Sequence, residues 1–548
     1  MSEQSGGEAL VQSLIQNGVD TLFALPGVQL DAFFNALYDA RDRIRVITPR
    51  HEQGAGYMAL GYSLASGDVG AYAVVPGVGL LNTFAALATA YTANARVLAI
   101  AAEIPSALIG KGWGLLHEIP DQLGMMRHLT KWAERIDHPR EVPAKVGEAF
   151  RQLRGGRPRP VGLEMPMDRL FAVENVAPAG PFAPEPPPEP DPAQVRAAAA
   201  RLGAAKRPLI LAGGGVFGAE EELQALAEAL QAPVSTHWMG RGTISAAHPL
   251  AVVDPVGREL WPQADVVLAL GTRLYHQRTM WTQVPGQTHI AVNLDTEDLA
   301  NTGAELALRA DAKLTLRALL AELPKHNRAR KPRAPEIGRL RKRVERGWAK
   351  TLGPQVAWLR AIRRALDPDG IFVDELTQIG YVSRFALPVY RPRSYLCCGN
   401  QGTLGWGFAT ALGAKVARPD CQVLAVAGDG GFLYTASELA TAVHFKIPVV
   451  AVVFNDGAYG NVKRMQEQDY GGRVLGSELT NPDFVRFAKS FGAAGYRAKS
   501  PRALERALAD AFKQNVPAVI EVPMGDVPDP WATLLGQDVG SAMRLQRK

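Results

Sequence analysis

Cysteine is scarce in this 548-residue chain: Cys397, Cys398 and Cys421 are the three present. Their spacing fits neither a zinc motif nor a disulfide framework, so reduced thiols packed inside a domain are expected, with the Cys397-Cys398 pair forming core or wall. Long apolar runs are missing too. None reaches the roughly 18 residues that cross a bilayer, which argues against a membrane partner. The opening stretch MSEQSGGEALVQS lacks the basic-then-apolar pattern of an export signal, so a cytoplasmic location is expected. The net charge is a modest +6, and much of the excess gathers between Lys325 and Lys350, a segment broken by Pro and Gly. With no nucleic-acid motif beside it, that run reads as a solvated connector, part linker and part exposed helix.

Hydrophobic residues make up 47% of the chain, enough for several cores in a protein of this length. The segment APAGPFAPEPPPEPDP, Ala177 to Pro192, is a linker, because its prolines fix φ and lack a donor N–H. Together with the basic stretch it divides the chain into blocks at 1–176, 192–324 and 352–548. Each block alternates short Val/Ile/Leu/Ala runs with helix-length amphipathic segments: TLFALPG, AYAVVPG and RVLAIAAE in the first, PLILAGGG, DVVLALG and HIAVNLD in the second, GIFVDE, QVLAVAGDG and VVAVVFN in the third. That pattern predicts an α/β protein of three doubly wound parallel-sheet domains.

The most informative stretch is GDGGFLYTASELATAVHFKIPVVAVVFN, Gly428 to Asn455. It reads as strand, tight turn, helix, strand, which carries Asp429 and Asn455 to the carboxyl ends of neighbouring parallel strands. Both offer hard oxygen ligands suited to Mg²⁺, whose octahedral shell is commonly completed by phosphate oxygens. Gly430 and Gly431 leave room for a diphosphate to approach backbone N–H groups at a helix start.

A GDG followed 26 residues after its Asp by Asn resembles the signature of the thiamine diphosphate enzymes, in the branch holding acetolactate synthase, benzaldehyde lyase and benzoylformate decarboxylase. The resemblance covers nearly the whole chain and implies a pyrimidine-binding domain, a central domain and a diphosphate-binding domain in that order. It implies thiamine diphosphate and Mg²⁺ as cofactors, with the Gly457 carbonyl as a third protein ligand to the metal. Glu52, in VITPRHEQGAGYMALGYSLASG, aligns with the acid that hydrogen-bonds the aminopyrimidine and drives it toward its imino tautomer; such a carboxyl must be shielded from solvent. His51 beside it is expected to be structural. In CCGNQGTLGWGFATALGA, Leu404 aligns with the apolar wedge that bends the cofactor. Thr377 and Gly402 align with positions holding the diphosphate arm or the aminopyrimidine, and Asn82 with one lining the pyrimidine pocket.

The same resemblance puts Val28 after a Pro-Gly turn facing the reactive carbon. Lacking a proton to donate, Val there favours ligation or lyase chemistry over simple aldehyde release. His117 falls where benzaldehyde lyase carries a substrate-touching Gln, and serves as an acid or hydrogen-bond donor or is merely exposed. Asn461 and Met465 replace a Met and a Trp of the acetolactate synthase acceptor pocket, so a different acceptor is implied. The central block has GGG after a strand but no clean G-x-G-x-x-G; FAD or an ADP unit there is possible in this family and is not favoured. The expected activity is carbon–carbon bond formation or cleavage on a 2-oxoacid with a carbonyl acceptor, by a homodimer or homotetramer whose sites use two subunits. The alternatives are a non-ligating 2-oxoacid decarboxylase, a 2-hydroxyketone or 2-hydroxyacyl-CoA lyase, and, from another class, a nucleotide-binding oxidoreductase or an inactive regulatory homologue.

Overall fold

A computed structural model describes residues 2–178 and 180–536. Three six-stranded, wholly parallel sheets follow one another along the chain, each covered by helices. In the first block the strands lie side by side in the order Arg45–Ile47, Thr21–Ala24, Gly70–Val74, Val97–Glu103, Val161–Pro166, Trp132–Arg135. The third block repeats that order with Tyr395–Leu396, Ile371–Val373, Val423–Gly428, Val450–Asn455, Ala518–Pro523 and Ala494–Arg497. The strands are unbroken apolar runs because helices bury both faces; every residue of Val97–Glu103 is buried.

The central block differs. Its order is Ala251–Val253, Val234–Thr236, Leu209–Ala212, Val266–Leu270, Thr288–Asn293, Leu306–Arg309, the arrangement of dinucleotide-binding domains, with the reversal of direction between Leu209–Ala212 and Val266–Leu270. In the flanking blocks the reversal falls between Thr21–Ala24 and Gly70–Val74, and between Ile371–Val373 and Val423–Gly428. Ligands of such sheets bind outside the strand ends at these points.

An antiparallel pair that the sequence did not suggest, Ser2–Ser5 with Val173–Val176, ties the start of the first block to its end. The described residues of the proline-rich segment after it have no regular structure until Asp191 caps a helix at Pro192–Ala204, where Pro occupies the first position that needs no N–H. Within the basic stretch, helix Ala334–Thr351 buries only Ile337 and Trp348, so its charges face solvent. Among the described residues no helix is long and apolar enough to cross a membrane.

First and third blocks meet through two helices, Glu52–Ser66 and Trp406–Ala417. Glycine permits the approach. A Cβ on Gly61 would lie 1.9 Å from the Thr410 carbonyl oxygen, and one on Gly413 would lie 1.8 Å from that of Met58.

Candidate active site

Asp429 opens the short helix Asp429–Leu433 directly after strand Val423–Gly428, and its carboxylate is buried. Asn455 ends the neighbouring strand, whose register pairs Gly428 with Phe454. The two predicted ligands therefore share one edge of the sheet. Between them sits a residue the sequence reading missed: Asn481 Nδ2 donates to Asp429 Oδ2 at 2.5 Å and to Asn455 Oδ1 at 3.0 Å. The Asn481 amide N–H₂ thus joins two hard oxygens of a type that suits a divalent cation. Gly457 has φ +70°, and its carbonyl accepts from Leu479 N–H at 2.7 Å, which leaves one lone pair free.

The glycines of the turn are required by their surroundings. A Cβ on Gly431 would stand 2.1 Å from Glu375 Oε1, and one on Gly430 would stand 2.5 Å from the Tyr459 ring. Glu375, also missed from sequence, is fully buried after strand Ile371–Val373 and accepts from Gly405 N–H at 2.7 Å. Desolvation pushes its carboxyl up to about 8. Thr377 is buried with its Cβ facing Gly428, so the loop ends of the two strands at the reversal point touch. Gly402, at φ +64°, and Leu404 lie on the segment between strand Tyr395–Leu396 and helix Trp406–Ala417, where Glu375 anchors Gly405 and Thr403 Oγ1 meets Thr89 Oγ1 of the first block at 2.9 Å.

On the first block, Glu52 begins helix Glu52–Ser66 with 16% of its side chain exposed, and Asn82 Nδ2 donates to its Oε2 at 3.0 Å. His51 caps that helix, its Nδ1 accepting from Gln53 N–H at 3.1 Å. The Glu438 carboxylate of the third block accepts from Arg50 and His51 N–H, each at 3.1 Å, which fixes the turn leading into Glu52.

The proposed substrate residues fall into two groups. Val28 is half exposed, and the next residue, Gln29, holds His117: Gln29 Oε1 lies 3.2 Å from His117 Nδ1, and Gln29 Nε2 donates to the Leu116 carbonyl at 3.2 Å. His117 has φ +68°, an uncommon conformation for a residue with a Cβ, and its carbonyl packs where only a glycine, Gly77, leaves room. Asn461 and Met465 lie on helix Gly460–Asp469, joined by an Asn461 Nδ2 to Met465 Sδ contact of 3.9 Å. Trp531 Nε1 donates to Asn461 Oδ1 at 2.8 Å and the Trp531 ring lies against Tyr381, so the last described helix lies over this group.

Sequence comparison matches residues 4–125 to the N-terminal thiamine pyrophosphate-binding domain of the thiamine pyrophosphate enzymes, 195–319 to their central domain and 377–522 to their C-terminal thiamine pyrophosphate-binding domain. The chain is 36% identical to the probable 2-ketoarginine decarboxylase of Pseudomonas aeruginosa, over 94% of both chains. It belongs to the thiamine pyrophosphate enzyme family. The probable acetolactate synthase large subunit of Methanocaldococcus jannaschii is 34% identical over 94% of this chain and 91% of its own. The large subunit of acetolactate synthase isozyme 3 of Escherichia coli is 30% identical, over 94% and 93%. Membership of the family accounts for the three-sheet layout and for thiamine diphosphate as cofactor.

A cavity of about 750 Å³ lies at the reversal point of this enzyme's central sheet, lined by Gly213, Gly215, Gly271 and Arg273 and closed on one side by Arg96 and Arg157 of the first block. Asp295, the acid following strand Thr288–Asn293, caps the next helix and pairs with Arg157 at 3.0 Å.

Proposed function

We propose that this protein is a thiamine diphosphate- and Mg²⁺-dependent enzyme that removes carbon dioxide from a 2-oxoacid and joins the remaining acyl unit to a second carbonyl compound. The observation that carries this is the Asp429–Asn481–Asn455 cluster, in which two hard oxygens accept from one amide nitrogen at the ends of adjacent strands. That donor set fits a divalent cation bridging to a diphosphate at a helix start. When bound, the cofactor supplies the carbon nucleophile and the electron sink. The protein's own residues do the rest. Asp429, Asn455 and the Gly457 carbonyl would hold the cation, and Thr377 and Gly402 would contact the cofactor. Leu404 would be the apolar residue against the cofactor rings, and Glu52, oriented by Asn82, would hydrogen-bond the aminopyrimidine. Val28 has no proton to offer a substrate, and His117, held by Gln29, would be available as a hydrogen-bond donor.

The acceptor pocket built by Asn461 and Met465 supports an acceptor other than that of the acetolactate synthases. A second reading, decarboxylation to a free aldehyde without ligation, is supported by the 2-ketoarginine decarboxylase relative. The working unit is a homodimer or homotetramer in which Glu52 of one chain serves the cation site of another. No flavin is proposed for the central cavity, since Asp295 is already engaged by Arg157 and a helix cap.

Denaturing extraction with mass spectrometry identifies the bound cofactor. A 2-oxoacid panel containing pyruvate, branched 2-oxoacids and 5-guanidino-2-oxopentanoate, each with and without an added aldehyde, is then scored for carbon dioxide and for ligated product. Ligated product supports the first reading. Carbon dioxide with stoichiometric free aldehyde and no ligation overturns it in favour of the second.

A further inference from the structure

Asn455 can serve a cation only through its amide oxygen, and an amide presents oxygen on one side and N–H₂ on the other. In this chain the choice is made by a neighbouring strand. Asn455 Nδ2 donates to Glu521 Oε1 at 2.9 Å, while Asn455 Oδ1 faces Asn481 and the Asp429 carboxylate. Glu521 is 5% exposed and lies in strand Ala518–Pro523, between the strand that ends at Asn455 and the edge strand Ala494–Arg497. Its second oxygen, Oε2, accepts from Arg497 Nε at 2.9 Å and Nη2 at 2.8 Å. Arg497 is its register partner on the edge strand and also pairs with Asp483 at 3.0 Å.

We propose that Glu521, held by Arg497, is a positioning residue that locks the Asn455 amide with its oxygen toward the cation site. The inference rests on the reading of Asp429 and Asn455 as metal ligands. A carboxylate is the one side chain of this length that can accept on both sides at once. In Glu521→Gln the new side chain has one accepting and one donating end, and Arg497, which can only donate, captures the accepting end. The N–H₂ of that glutamine then faces Asn455. The Asn455 amide must turn its oxygen to the glutamine and its N–H₂ to the cation. Partners of metal ligands that set ligand orientation typically change affinity by 10- to 100-fold. The polarity argument also predicts a rescue. An aspartate at 455 has oxygen on both sides, so it accepts from the glutamine of Glu521→Gln and still ligates, whereas opposite the native Glu521 it would set two carboxylates against each other.

The test uses full-length protein stripped of cofactor, with thiamine diphosphate added back and Mn²⁺ binding read from the loss of the free-ion electron paramagnetic resonance signal. Asp429→Ala is the control for the site itself: if it binds Mn²⁺ as tightly as the native chain, or if the native chain binds none, the metal reading falls and this inference falls with it. With that control lost as expected, Glu521→Gln is predicted to weaken Mn²⁺ by 10- to 100-fold in protein whose circular dichroism matches the native chain, and Asn455→Asp to weaken it similarly. The double variant is predicted to recover at least about tenfold over either single one. Native affinity in Glu521→Gln, or a double variant no tighter than the singles, overturns the proposal. If Glu521→Gln fails to fold, the double variant is compared with Asn455→Asp alone: a gain of about tenfold supports the inference and equality overturns it.

Discussion

Asn82 Nδ2 donates to Glu52 Oε2 across 3.0 Å, joining residues 30 apart in the chain at the first-block half of the site. One Glu52 oxygen is thereby fixed as an acceptor, and the other would be left to hydrogen-bond the cofactor in the proposed reaction. Glu52→Gln preserves the contact, since a glutamine oxygen accepts from Asn82 equally well, but it removes the exchangeable proton. The variant is expected to fold and retain thiamine diphosphate while turnover falls by about 10²- to 10⁴-fold. Steady-state rates and cofactor content measured on one preparation check this; near-native turnover contradicts the proposed role.

Asn481 Nδ2 donates to the buried Asp429 carboxylate, a hydrogen bond to a charged acceptor at the proposed cation site. Asn481→Ala is expected to lower metal-free stability by about 1.5–3 kcal/mol. With Mg²⁺ and thiamine diphosphate bound, the cation would replace that hydrogen bond as the partner of the carboxylate, and the deficit is expected to shrink. Thermal unfolding of both proteins with and without the two ligands measures the difference; an equal deficit in both states rules out the shared position.

Glu375 gives a pH dependence of known sign. Burial pushes its carboxyl up to about 8, so between the ordinary carboxylate range near 4.5 and pH 8 the folded protein retains a proton that the unfolded chain has released. The contribution of this group to stability therefore declines as pH rises through that window, by at most about 1.4 kcal/mol per pH unit, and levels off above it. Glu375→Gln removes the decline. The variant is expected to gain on the native protein steadily from about pH 5 to about pH 8 in chemical or thermal unfolding; a constant difference across that range refutes the assignment.

At the contact between the first and third blocks, Gly413→Val drives a branched side chain into the Met58 backbone carbonyl. Backbone cannot move aside as a flexible side-chain end can, so a loss of about 3 kcal/mol or more is expected. Gly338→Ala, on the solvent-facing helix Ala334–Thr351 where a Cβ meets nothing within 4 Å, is the matched control and is expected to be neutral or stabilising. Differential scanning calorimetry of the two distinguishes a close helix contact from a general intolerance of glycine replacement.

Much of the architecture was legible in the chain because parallel strands buried on both faces are written as short unbroken apolar runs, and VLAIAAE or QVLAVAG admits few other readings. The 26-residue interval from Asp429 to Asn455 spans a turn, helices and a strand between adjacent strand ends, which is why both candidate ligands could be placed there. The antiparallel pair Ser2–Ser5 with Val173–Val176 left no such trace, since SEQS and VENV are mostly polar and pair across the whole block. Asn481, Glu375 and Glu521 were missed for a related reason: each reads as an ordinary loop or strand-end polar residue, and its partner lies 26 to 66 residues away.

By itself the sequence determined the three α/β blocks and the family, and it singled out Glu52, Asp429 and Asn455 as candidates, because periodicity and short-range spacing are properties of a local chain. The tertiary structure alone decided which way the Asn455 amide points, what stands between the two ligand oxygens, and that Gly61 and Gly413 are what let two helices touch. Those outcomes depend on hydrogen-bond direction and hard-sphere contact between segments far apart in sequence, and no one-dimensional pattern encodes either.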